Sequence, residues 1–118
     1  MAMHRRNVEA CLDPIQQSAL RELRDRLLAE LDFVEQLVLF GSTARGAAQA
    51  GSDIDLLVLT SRQVDTRARH KVTDIQFEVN LKYDTNFSSL VVAASEWENG
   101  VASVLPIKRA VLRDGILV

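Results

Sequence analysis

Phe40-Gly41-Ser42-Thr43-Ala44-Arg45-Gly46, followed shortly by Ser52-Asp53-Ile54-Asp55-Leu56-Leu57-Val58, is the stretch that decides the reading of this chain. Asp53 and Asp55 stand two apart at the start of an apolar strand, so both carboxylates project from one face. Two anions so placed repel each other unless a cation neutralises them. Mg²⁺ suits such a pair, because it takes one or two carboxylates and fills its remaining positions with water and substrate phosphate. Mn²⁺ is an alternative. The first half supplies the complement. Gly41 has no side chain to keep a phosphate from the backbone. Ser42 opens a helical turn whose N–H groups and hydroxyl suit an anion. Arg45 can add a charge-assisted bond to phosphate, with a plain solvated charge as the even alternative. A Gly-Ser alone is usually a turn, and a lone Asp-x-Asp is usually a solvated strand start. At average residue frequencies their combination arises by chance in roughly one chain in a thousand of this length.

Working outward, Asp13, Pro14 and Gln16 form the start of a helix: a cap, a suitable first position and a capping box. Ala19, Leu20, Leu23, Leu27 and Leu31 continue it at helical spacing, with Glu22 and Arg26 as an exposed i,i+4 pair. Leu37 to Phe40 is short and apolar on both sides, as in a central strand. A helical turn is expected from Ser42 to about Ala48, and a second strand from Asp53 to Thr60. Val64, Ala68, Val72, Ile75, Val79 and Tyr83 mark a long amphipathic helix. Asn86 to Ala94 reads as a third strand. Ser95 and Glu98 suggest a capping box for a short helix at Trp97. Pro106 opens a last helix that Gly115 closes, and Ile116 to Val118 adds a short strand. This order predicts an α+β (mixed α/β) fold, a small mixed sheet flanked by helices. Residues 1–12 are expected to be an arm or helical lead-in to a single domain over residues 13–118.

The bulk properties agree with one globular domain. The chain has 118 residues, 47% hydrophobic and 25% charged, enough to bury a core without staples. A net charge of −2 gives no general attraction to nucleic acid or to a membrane surface. Cys11 is the single cysteine, which excludes an intrachain disulfide and a disulfide-built scaffold. The apolar runs are too short to span a bilayer, and the expected compartment is the cytoplasm.

Gly-Ser, ten residues, then Asp-x-Asp resembles the signature of the DNA polymerase β-type nucleotidyltransferase superfamily. LVLFGSTARG and SDIDLLV look like its minimal bacterial members, the MNT proteins. The resemblance implies a nucleotidyltransferase fold. It implies that Asp53 and Asp55 bind Mg²⁺ and act in catalysis, and that Gly41 and Ser42 hold a nucleoside triphosphate, ATP foremost. It also implies transfer of a nucleotidyl group to a hydroxyl, and for minimal members a helical HEPN-type partner in a toxin–antitoxin pair. A homo-oligomer is a further arrangement open to the chain. One departure stands out. Active members carry a third carboxylate on a later strand, where this chain reads Asn86-Phe87-Ser88-Ser89-Leu90-Val91-Val92. Ser88 or Ser89 occupies the expected position. Asp84 and Glu78 are the nearby substitutes, Asp84 being a weak one. The alternative is therefore a catalytically weak module that binds nucleotide or neutralises a partner. His70, among Arg67, Arg69 and Lys71, reads as part of a solvated face.

Overall fold

The computed structural model describes residues 11–44 and 53–118. Asp13 caps helix α1 (Pro14–Glu30), accepting the Gln16 N–H at 2.7 Å while the Gln16 side chain accepts the Asp13 N–H at 3.0 Å. This is the reciprocal box that the sequence predicts. Cys11 and Leu12 precede the cap, and they already belong to the packed domain. Leu12 is buried, and Cys11 Sγ lies 3.7 Å from the Ala44 carbonyl. The rest of the expected arm, residues 1–10, lies outside the described residues.

Strand β1 (Val34–Phe40) starts three residues before the apolar run, because Val34 is buried against the core beyond an irregularity between Val34 and Gln36. Helical turn α2 (Gly41–Ala44) follows directly, and the expected continuation to Ala48 lies outside the described residues. Strand β2 (Ile54–Thr60) precedes helix α3 (Thr66–Tyr83). That helix starts later than Val64 because Asp65 caps it, accepting the Ala68 N–H at 2.8 Å. Strand β3 (Phe87–Ala93) leads into α4 (Ala94–Asn99), a 3₁₀ turn, α5 (Pro106–Asp114) and strand β4 (Ile116–Leu117). The expected capping box at Ser95 is corrected. Ala93 is the N-cap with no side-chain bond, so Ser95 and Glu98 lie within the helix. The helix forms because buried Trp97 anchors it to the sheet.

The sheet order is β3-β2-β1-β4. β1 runs antiparallel to β2 and β4, while β2 and β3 are parallel and joined through α3. The sheet is thus mixed and flanked by helices, as expected. Alternate residues divide its faces. Leu37, Leu39, Ile54, Leu56, Val58 and Phe87 pack under α1 and α3. Val38, Leu57 and Leu59 pack with Trp97 and Val111 of α4 and α5.

The edge strand β3 is closed by side chains of α3. Ile54 N–H bonds to the Asn86 carbonyl, so the polar groups of Phe87 turn away from β2. Asn80 takes both, donating to the Phe87 carbonyl at 3.0 Å and accepting its N–H at 2.9 Å. Arg69 donates to the Val91 carbonyl at 2.8 Å. On the helix surfaces, Glu22 pairs with Lys82 rather than with Arg26, which instead holds Glu30 and Glu78. Packing of α1 beside α3 brings those cross-helix partners within reach. Among the described residues no helix is long and apolar enough to cross a membrane.

Candidate functional site

The antiparallel pairing places Phe40 opposite Asp55. The turn that ends β1 therefore lies beside the start of β2. Asp53 and Asp55 share the parity of Leu57 and Leu59, and so the α4/α5 face of the sheet. Asp53 is exposed and Asp55 half-buried. Burial first, and the Asp53 charge second, raise the Asp55 pKa above its ordinary value. Both causes disfavour the anion and both would be relieved by a bound cation.

Gly41 is required here for two reasons. Its φ of +81° lies in the left-handed region, and a Cβ would stand 2.5 Å from Asp55 Oδ2. The space beside its α-carbon is thus taken by the Asp55 carboxylate. The missing side chain thus lets the acid come close to the turn. Ser42 lies within the α2 turn. Arg45 lies outside the described residues. Thr43 is buried, and its hydroxyl has no hydrogen-bond partner among the described residues.

The parallel ladder identifies the residue beside the acid pair. Asp55 is level with Ser88, and Ile54 with Phe87. Ser88 is exposed on the face of Asp55, whereas Ser89 turns to the other face and bonds Gln76 of α3. Ser88 is therefore the position where a third acid would stand. Glu78 is engaged by Arg26 across α1 and α3, on the opposite side of the sheet. Asp84 ends α3 in a left-handed conformation with its side chain exposed. Among the described residues, no group of three or more His, Cys, Asp or Glu side chains is arranged to hold a metal ion. His70 is exposed.

Sequence reasoning passed over Asn86. Its side-chain N–H donates to Asp53 Oδ1 at 2.6 Å. Only the strand register reveals it, since Asn86 stands one step before Phe87 as Asp53 stands one step before Ile54. The donor set fits a hard divalent cation: two carboxylates on one face, one half-buried and with its pKa raised, beside a turn whose glycine admits the carboxylate.

A four-stranded mixed sheet with helices on both faces and an acidic pair against a glycine turn is the architecture of a small nucleotidyltransferase-type domain. The chain belongs to the nucleotidyltransferase domain family, whose sequence model matches residues 20–112. MJ1305 of Methanocaldococcus jannaschii, named as a candidate protein adenylyltransferase, is 38% identical over 86 residues, covering 69% of this chain and 52% of the relative. The chain spans 52% and 61% of the two curated relatives it matches. Among solved structures, a toxin–antitoxin crystal structure with AMP-PNP is similar at a TM-score of 0.57 and 20% identity, over 86% of this chain and 70% of that one. A chain of the solved structure of a tri-AMPylated Shewanella oneidensis HEPN toxin in complex with an MNT antitoxin is similar at a TM-score of 0.54 and 18% identity, with the same coverage. At these identities the likeness establishes the fold.

Proposed function

We propose that this chain binds a nucleoside triphosphate, ATP foremost, with Mg²⁺ at Asp53 and Asp55, and transfers AMP to a hydroxyl of a HEPN-type partner protein as the antitoxin half of a cytoplasmic pair. The observation that carries the reading is the pair of carboxylates on one sheet face with Asp55 lodged against Gly41. The AMPylated toxin in the S. oneidensis complex and the adenylyltransferase naming of the curated relative support the acceptor class. In the reaction the acceptor oxygen bonds to the α-phosphorus, the bond to pyrophosphate breaks, and the hydroxyl proton passes to a base or to water. Bound Mg²⁺ supplies charge neutralisation on the phosphates. Asp53 and Asp55 hold and orient it. Gly41 and Ser42 lie at the triphosphate, and Arg45 is assigned to phosphate from the sequence alone. Mn²⁺ is expected to substitute.

Ser88 beside Asp55 favours a second reading, a module that binds nucleotide and restrains its partner with little transfer. One experiment separates the two. The chain is incubated with α-labelled ATP, Mg²⁺ and the HEPN-type product of an adjacent gene. Label on the partner, abolished by Asp53→Asn with Asp55→Asn, is the expected result. ATP binding without label supports the second reading, and label that survives the double substitution overturns the assignment of the aspartates.

A further inference from the structure

We infer that Asn86 is a positioning residue for the acid pair, setting the direction of Asp53 toward the cation. This rests on the reading that Asp53 and Asp55 hold a divalent metal. Ile54 N–H bonds to the Asn86 carbonyl at 2.9 Å, which locks the Asn86 backbone beside the start of β2. From there the amide Nδ2 reaches Asp53 Oδ1 at 2.6 Å, a short charge-assisted bond. Asp53 lies before the first residue of β2 and is exposed, so the strand itself does little to hold its side chain. One carboxylate oxygen held by an amide leaves the other to serve a cation in a restricted direction. Partners of this kind fix ligand orientation, and their loss weakens metal binding about tenfold or more.

The chemistry of the amide matters as much as its place. Asn86 and Ser88 stand level with Asp53 and Asp55, so two neutral side chains face two acids. An acid at position 86 would add repulsion beside Asp53, whereas the amide donates to it.

The test is direct Mn²⁺ titration, read by electron paramagnetic resonance, with the full chain and AMP-PNP present. Asn86→Ala is expected to bind Mn²⁺ roughly tenfold more weakly, and Asn86→Gln, which keeps the amide, to recover part of that loss. Melting of the metal-free chain accompanies each titration, and the metal effect should exceed any change in folding. In transfer assays the Mg²⁺ concentration for half-maximal rate should rise more than the maximal rate falls. Equal Mn²⁺ affinity in Asn86→Ala and the natural chain overturns the inference while leaving the metal site standing. A loss in Asn86→Ala that the glutamine does not recover, matched by an equal loss of folding stability, also overturns it. No Mn²⁺ binding by the natural chain removes the metal site itself and the inference with it.

Discussion

The two faces of one sheet are put to different uses. Under α1 and α3, Ile54, Leu56 and Val58 of β2 join Leu23, Leu27, Val72 and Val79 in one apolar core. On the other face the same strand reads Asp55, Leu57, Leu59, and only the last two are packed, with Trp97 and Val111. Neighbouring residues thus differ in kind. Leu56 and Leu57 hold the fold, while Asp55 stands where the second face runs out of cover and is only half-buried. The lesson is that a short strand can supply a core and a reactive edge together, because alternation keeps their requirements apart.

The largest effect should come from cutting into the first face. Leu56→Ala removes a fully buried side chain and should cost about 2–5 kcal/mol in denaturant unfolding. ATP binding per folded molecule should survive. Leu57→Ala, equally buried on the site's own face, should cost a similar amount and also weaken ATP binding. Equal effects of the two on ATP binding would dissolve the distinction between faces. Next comes the turn. ATP with Mg²⁺ at a hundredfold excess over Kd should stabilise the chain by about 2.7 kcal/mol. Gly41→Ala should remove that gain, since a methyl group would displace the Asp55 carboxylate. It should also cost roughly 1–2 kcal/mol for the left-handed backbone. Wild-type ATP stabilisation in this variant would show that Asp55 need not sit where it does.

The packed side has a polar component at its edge. Asn80→Ala would leave the outward N–H and carbonyl of Phe87 without the amide that now serves both. The expected cost is about 1–3 kcal/mol, and freshly exposed strand polarity should favour self-association. Sedimentation and melting of this variant report on both. An unchanged melting temperature would mean water replaces the amide without loss.

Much of this division was legible beforehand. Spacing of three and four in α1 and α3 states which side of each helix is buried, the unbroken apolar run after Asp55 states that β2 is covered on both faces, and Asp-x-Asp states that two acids share a face. Asp13 and Gln16 formed their box because such a cap is decided within four residues. What failed to show was anything that depends on tertiary register. The bond from Asn86 to Asp53, the choice of Ser88 over Ser89 beside Asp55, and the partner of Glu22 are set by which strand or helix lies alongside. Ser95 misled for a related reason: buried Trp97 fixes where α4 begins, and local capping chemistry does not override it.

The smallest effect is the most discriminating, because its sign is unusual for an aspartate. Burial and the Asp53 charge raise the Asp55 pKa in the folded chain above the ordinary 3.8. The folded state therefore holds that proton more tightly than the unfolded state does. The stability linked to this proton is fully present below pH 3.8 and is lost as pH rises through the folded-state value. At neutral pH the ionised Asp55 thus works against the metal-free fold. Asp55→Asn should make that fold slightly more stable at pH 7, within about 0.5 kcal/mol, the scale of substitutions outside a packed core. The difference should shrink as pH falls toward 4. With ATP and Mg²⁺ present the order should reverse, since only the natural chain gains from the cation. Melting curves between pH 4 and 8, with and without ligand, check both halves. A metal-free Asp55→Asn chain that is less stable at pH 7 would mean that the carboxylate serves the fold, and the face that carries it would then be built for packing like the other.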